Sequence, residues 1–181
     1  MSTSSKSTLR RTLRQRRRAL SAAEQKAAAL ALYRRLVTSS LFRFSRRIAF
    51  TMAADGEIDP ALLLATARQR GKECYLPVLS PVGPPHLRFK RWKKGDPLGV
   101  NRYGIAEPRG GRYCPPRALS LVLMPLVGFD ASGNRLGMGK GYYDRTFAFR
   151  WHSTAYRPVL LGLAHECQRV DRLQAEVWDL P

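Results

Sequence analysis

The chain of 181 residues is 44% hydrophobic and carries a formal charge of +19 at neutral pH. That length can bury a core without disulfides, and no stretch approaches the roughly 20 apolar residues that span a bilayer, so a membrane-spanning helix and a cystine-stapled miniprotein are both excluded. The charge predicts attraction to polyanions, whether nucleic acid, nucleotide phosphate or an acidic metabolite.

Thirteen Lys or Arg residues and one acid, Glu24, fall within the first 47 positions. The opening MSTSSKSTLRRTLRQRRR has no apolar h-region and so does not read as a secretory signal. It is rich enough in Arg and Ser for a transit peptide, but it runs straight into a helical pattern. Leu9, Leu13 and Leu20 set a narrow apolar stripe among the arginines of residues 7–20, the mark of a basic amphipathic helix resting on the body through few contacts. The alternative for residues 10–18 is nucleic-acid contact; against it, the chain has no RNA-recognition signature and few aromatics among the arginines. Ser21-Ala22-Ala23-Glu24 is a capping box that starts a second helix, with Leu30, Tyr33 and Val37 at helical spacing before Thr38-Ser39-Ser40 stop it.

Residues 47–52 read as a buried strand. Asp59 as N-cap and Pro60 at the first helical position predict a helix over 61–70, ended by Gly71. Residues 74–79 form the next strand. Strand, helix and strand with short connections make a βαβ unit and hence a parallel sheet. The stretch 80–116 is rich in Pro and Gly, with 87–92 alternating as an edge strand that has one wet face. Residues 119–127 are almost continuously apolar, as a central strand covered on both sides would be. A helix over 142–149 and a buried strand over 159–163 follow. The pattern predicts one three-layer α/β domain over residues 1–181, with a mostly parallel central sheet of Rossmann-like form and a basic N-terminal helix.

Cys74, Cys114 and Cys167 are odd in number, widely spaced and without a CxxC pair, so they read as neither a disulfide framework nor a zinc site and fit a reducing cytoplasm. His86, His152 and His165 have no metal-type spacing, and His165-Glu166 lacks the second histidine of HExxH.

The segment 134–145, NRLGMGKGYYDR, begins just past the apolar strand, where ligands bind in open α/β sheets. Gly137, Gly139 and Gly141 let backbone approach an anion, Arg135 and Lys140 supply positive charge, and the following helix points its N-terminus at the same place. The glycines alone fit a structural loop equally well; the added Arg135, Lys140 and Asp144 favour a phosphate cradle. It is not a Walker A loop, since the first glycine of that pattern falls on Asn134 and Gly141 follows Lys140. It is not the dinucleotide fingerprint either, whose third glycine falls on Tyr142. Asp144, early in the helix, is placed to hold magnesium beside phosphates or simply to complement the helix dipole.

Asn134 to Arg145, preceded by Met124-Pro125 and Gly128-Phe129-Asp130, resembles the 5-formyltetrahydrofolate cyclo-ligase family, also called methenyltetrahydrofolate synthetases. Lys6-Ser7-Thr8-Leu9-Arg10, Asp55-Gly56-Glu57-Ile58, Ala164-His165-Glu166-Cys167-Gln168 and Trp178-Asp179 extend the resemblance over nearly the whole chain. The resemblance implies ATP- and magnesium-dependent closure of 5-formyltetrahydrofolate to 5,10-methenyltetrahydrofolate through a phosphorylated formyl intermediate. It implies ATP contacts at Lys6, Ser7, Thr8, Leu9, Arg10, Arg135, Leu136, Gly137, Met138, Gly139, Lys140, Gly141, Tyr142 and Tyr143. Folate contacts are implied at Met52, Glu57, Met138, Gly139, Lys140, Gly141 and Tyr142, catalytic roles at Lys140, Arg135 and Tyr142, and magnesium ligands at Asp144 and Asp179. A cytoplasmic monomer is expected, acting on the folate with or without a polyglutamate tail, which the basic surface would attract. A different ATP-using transferase on a related scaffold would keep the cradle and change the acceptor.

Overall fold

The computed structural model describes residues 3–152 and 158–173. Three helices come first: α1 (Thr3–Arg18), α2 (Ala22–Val37) and the short α3 (Ser40–Phe44). Ser21 and Glu24 close the capping box of α2, with the Ser21 amide donating to Glu24 Oε2 at 2.8 Å. Next come β1 (Arg47–Ala49), α4 (Ala61–Gln69) and β2 (Glu73–Leu79). Pro60, expected inside α4, takes the N-cap position, and Asp59 serves the helix start from one residue earlier by accepting from the Ala61 amide at 2.9 Å. The carboxylate does the expected work because Asx side chains reach two residues along the backbone.

The chain continues through β3 (Leu87–Arg91), β4 (Leu98–Val100), β5 (Ala106–Pro108), β6 (Tyr113–Cys114), β7 (Leu121–Pro125), β8 (Gly128–Phe129) and β9 (Arg135–Leu136), then α5 (Tyr142–Phe147) and β10 (Val159–Leu163). The main sheet has the order β10-β7-β1-β2-β3-β6. β1 runs parallel to β2 and β7, and β7 to β10, while β3 is antiparallel to β2 and β6. The architecture is thus mixed α/β around a mostly parallel sheet.

Two strand expectations are corrected. β3 is not an edge: Phe89 pairs with Cys114 of β6, a two-residue strand too short to carry a period in sequence. Among the described residues β10 is the edge, paired there only with β7, and of its residues Leu163 alone is fully buried. The wet face of β3 holds, with Leu87 and Phe89 buried and Arg88 exposed between them. The predicted helix over 142–149 is α5 followed by a 3-10 turn, Ala148–His152.

Strand alternation divides the core. Ile48, Cys74, Leu76, Leu121 and Leu123 face α2, α3 and α4, while Ala49, Tyr75, Val122 and Met124 face α5 through Phe147. A third cluster lies under α1, where Leu13 meets Val127, Leu136 and Leu173. Gly128 permits that approach, since a Cβ there would lie 2.6 Å from Leu13 Cδ1. No helix among the described residues is long and apolar enough to cross a membrane.

Candidate active site

Between the end of β7 and the glycine stretch lies a hairpin, β8 with β9, that periodicity could not show because each strand has two residues. Asp130 organises its turn. Oδ1 accepts from the Ser132 and Asn134 amides, both at 3.0 Å, and Oδ2 from the Asn134 side chain at 2.9 Å and the Leu173 amide at 2.8 Å. The hairpin leaves the Arg135 side chain 12% exposed and buries Leu136 in the cluster beneath α1. The Leu136 side chain is therefore core, and of that residue only backbone is left to meet a nucleotide.

From there residues 137–140 are exposed. Arg10 of α1 donates through Nε to the Gly137 carbonyl at 2.8 Å. Its guanidinium also lies over Gly139, where an added Cβ would sit 3.2 Å from Arg10 Cζ and where φ is +87°. Glycine is required at that position both for the left-handed backbone and for the close approach. Lys6, Leu9 and Arg10 are half-buried on one side of α1, whereas Ser7 and Thr8 are exposed. Lys140 is exposed, and no hydrogen bond or ion pair engages its side chain among the described residues. Arg145 instead secures the backbone there, bonding to the Lys140 carbonyl and, through Nε, to the Pro85 carbonyl at 2.6 Å.

Arg135 and Asp144 form an ion pair, joining the hairpin to the first turn of α5. Among the described residues no cluster of three or more His, Cys, Asp or Glu side chains could enclose a metal. The Asp144 carboxylate is a hard oxygen donor of the kind magnesium accepts, provided phosphates and water complete the octahedron. Asp179 lies outside the described residues. α5 is six residues long with Gly141 in the N-cap position at φ +62°, so side-chain cations rather than a long helix dipole dominate the local field.

The two tyrosines diverge. Tyr143 turns inward, its ring parallel to Phe147 at 6.4 Å, and burial followed by the charge of Glu57 pushes its phenol up. Tyr142 turns toward the turn between β4 and β5, where Arg102 bonds its hydroxyl and the Tyr103 hydroxyl lies 3.3 Å away. Neither Arg102 nor Tyr103 was picked out from sequence. The available signal was the run Asn101-Arg102-Tyr103-Gly104, a turn held by Asn101 Oδ1 on the Tyr103 amide at 2.8 Å, presenting a cation and an aromatic together.

Met52 is half-buried against the core, and Glu57 is held on the loop that follows β1. In that loop Asp55 and Gly56 both have positive φ, +55° and +76°. Asp55 receives Arg14 and Arg17, each at 2.7 Å, and Arg18. Burial alone would raise the Asp55 carboxyl, but the bonds from Arg14, Arg17 and Arg18 outweigh it and hold it down at about 2. Glu57 goes the other way: burial pushes its carboxyl up, against a smaller downward pull from Arg17. Its Oε2 accepts from the Ala54 amide at 3.3 Å. His165, expected only within a closing motif, supports the same loop with Nε2 at 3.2 Å from the Gly56 carbonyl.

The profile of the 5-formyltetrahydrofolate cyclo-ligase family matches residues 2–181. A Haemophilus influenzae protein named 5-formyltetrahydrofolate cyclo-ligase is 36% identical, covering 100% of this chain and 96% of that one. The Escherichia coli K12 protein of the same name is 37% identical over 93% of this chain and 92% of its own. Among solved structures, the Aquifex aeolicus 5,10-methenyltetrahydrofolate synthetase superposes with a TM-score of 0.81 at 31% identity, covering 97% of this chain and 86% of that chain. A Mycoplasma pneumoniae synthetase at 24% identity shares the fold with a TM-score of 0.72, over 97% of this chain and 93% of that one. With the profile spanning the chain and two relatives above 35% identity along almost their whole length, the chain belongs to the 5-formyltetrahydrofolate cyclo-ligase family.

Proposed function

We propose that this protein is a ligase that closes 5-formyltetrahydrofolate to 5,10-methenyltetrahydrofolate, consuming ATP with magnesium and releasing ADP and phosphate, as one domain acting as a monomer. A formamide oxygen is a poor leaving group. It attacks the γ-phosphorus of ATP, ADP departs, and the formyl carbon becomes an iminium bearing a phosphate ester. N10 of the folate then attacks that carbon, the carbon–oxygen bond breaks with loss of phosphate, and the N10 proton is released. The enzyme's task is to hold oxygen and phosphorus in line and to offset charge on the moving phosphoryl group.

Lys140, exposed at the centre of the glycine stretch, neutralises that phosphoryl group, with the amides of Gly137 to Gly141 around it. Arg10 and Lys6 face the triphosphate from α1, and Arg135 steadies both the phosphates and Asp144. Asp144 with Asp179 would hold magnesium, which when bound would supply further charge neutralisation on the phosphates. Tyr142 lies against the folate's reacting end, and Glu57 accepts hydrogen bonds from the pterin N–H groups beside Met52. The observation that carries this reading is the bond from Arg10 to the Gly137 carbonyl, which ties the helix bearing Lys6 to the loop bearing Lys140. The basic helix gives less support to nucleic-acid binding, because Arg14, Arg17 and Arg18 are engaged by Asp55.

The test is the near-ultraviolet absorbance of methenyltetrahydrofolate, followed with purified protein, 5-formyltetrahydrofolate, ATP and magnesium. The expected rise requires all three additions and is lost in Lys140→Ala. ATP turnover without the absorbance rise would instead mean a different acceptor.

A further inference from the structure

Arg17 lies within a run of three arginines, yet it is the one drawn inside. It is 1% exposed, among the largest fully buried side chains, while its neighbours Arg16 and Arg18 are exposed. Burying a guanidinium is costly unless nearly every donor finds a partner. Here they do. Nε donates to the Asp55 carbonyl at 2.8 Å, Nη2 to Asp55 Oδ2 at 2.7 Å with Glu57 Oε1 at 3.5 Å, and Nη1 to the Leu126 carbonyl at 3.2 Å. The last acceptor lies immediately past β7, on the chain that leads through the hairpin to the glycine stretch.

Helical spacing adds a second observation. Arg10, Arg14 and Arg17 follow one another at i, i+4 and i+7, so they share a face of α1 and span about 10 Å along its axis. Arg10 bonds the glycine stretch, whereas Arg14 and Arg17 bond the Asp55 turn. One rigid helix face therefore holds both loops from which the two substrates are proposed to be bound. The turn it grips is strained, with consecutive positive φ values, and it presses so closely on α1 that a Cβ on Gly56 would lie 3.0 Å from the Arg17 carbonyl.

We propose that Arg17 is a positioning residue for the reaction: from inside the fold it fixes the Asp55 turn so that Glu57 is presented to the folate, in register with the nucleotide loop held by Arg10. This rests on Glu57 being a folate ligand. The planar fork is essential, because an ammonium is a point donor that cannot satisfy Asp55, Glu57 and the Leu126 carbonyl together. Replacing Arg17 alone leaves Asp55, Glu57 and the Leu126 carbonyl without their buried partner and costs stability, so orientation is told apart from folding by the split between the two KM values and by the pH profile.

The groups that face Glu57 are Arg17 and Arg14 from α1, Asp55 and the Ala54 amide from its own loop, and Tyr143 from α5; His165 faces the same turn at Gly56. Among the charges Arg17 lowers the Glu57 carboxyl most, against burial, which raises it. Taking that charge away raises the carboxyl further, so the acid side of the kcat/KM profile for the folate moves to higher pH.

The experiment measures KM for each substrate and the pH profile in Arg17→Lys, Arg17→Met and Glu57→Gln. Arg17→Lys keeps a charge and loses the fork; its KM for 5-formyltetrahydrofolate rises about tenfold, as for a lost charged hydrogen bond, with KM for ATP little changed and the acid side in place. Arg17→Met raises the folate KM as well and shifts the acid side upward by about one pH unit. Glu57→Gln raises the folate KM and removes that acid side. Asp55→Asn removes the carboxylate from the turn but keeps Arg17 and its bonds to the Asp55 and Leu126 carbonyls, and it should raise the folate KM selectively, which tests the turn even if Arg17→Met does not fold. If Glu57→Gln raises the folate KM but both Arg17 variants leave KM and profile unmoved, Arg17 is merely structural and the proposal fails. If Glu57→Gln leaves the folate KM unchanged, it is the folate reading of Glu57 that fails, and the proposal falls with it.

Discussion

The Asp55 turn and the glycine stretch both lean on α1, and they are built in opposite ways. In the turn every charged side chain has a partner: Asp55 is gripped by three arginines, buried Arg17 also reaches Glu57, and His165 holds the Gly56 carbonyl. In the glycine stretch residues 137–140 are exposed, and Lys140 has no partner among the described residues. The first arrangement suits a ligand recognised by shape and a few directed hydrogen bonds, because the acceptor is already aimed before binding. The second suits a polyanion, which supplies the missing negative charge on arrival. Pre-organisation at one loop and unmet charge at the other are what the proposed function asks of one helix that serves two chemically different substrates.

The sharpest way to break this contrast is to remove the unmet charge. Lys140→Ala should lower kcat by about a hundred- to a thousandfold, as deletion of one group that stabilises transition-state charge does elsewhere, while thermal stability stays within about 0.5 kcal/mol of wild type. A loss of activity matched by a loss of folding would mean that the lysine is part of the framework after all. Next in size is the helix that carries both regions. Leu13 is fully buried midway between Arg10 and Arg17, so Leu13→Ala should cost about 2 to 5 kcal/mol in denaturant unfolding and raise KM for both substrates together. Arg17→Lys should raise only one of them.

How far the sequence reaches follows the same division. The glycine stretch was legible because its signal is local: glycines, cations and an aspartate within a dozen positions, a short way past a strand that proved buried on both faces. The capping box of α2 and the wet face of β3 are local signals too. The Asp55 turn was half legible. Its residues stood out, but nothing in a row of arginines says that Arg17 turns inward while Arg16 and Arg18 do not, since that depends on Leu126, 109 positions away. Likewise β6, β8 and β9 are two-residue strands defined by their partners rather than by any period of their own.

The matched charge of the turn gives a smaller, pH-dependent effect. The Asp55 carboxyl is held at about 2 against an ordinary 3.8, so the folded state favours the ionised form. Its stabilisation is complete above the ordinary value and is lost as pH falls from about 4 toward 2. Asparagine tolerates the positive φ of this position, so Asp55→Asn removes the charge without new backbone strain. The variant should be less stable than wild type by about 1 to 2 kcal/mol at neutral pH, and the difference should close as the medium approaches pH 2. A gap independent of pH in thermal unfolding would show that the arginines do not act through that charge.

A substitution in the glycine stretch, with a smaller kinetic effect than Lys140→Ala, sharpens the contrast from the other side. Gly139 has φ +87° and lies under the Arg10 guanidinium, so Gly139→Ala meets two obstacles. The left-handed backbone costs an alanine about 1 kcal/mol, and the new methyl needs a shift of a few tenths of an ångström from the tip of a flexible side chain. Arg10 can give that much, so the fold survives with a loss near 1 kcal/mol. What it cannot keep is the bond to the Gly137 carbonyl in its present geometry, 2.8 Å from Nε. The expected result is a several-fold rise in KM for ATP with KM for the folate unchanged, the mirror image of Arg17→Lys. A rise in both constants would mean that the two loops are not held independently, and that α1 transmits a shift at one end of its face to the other.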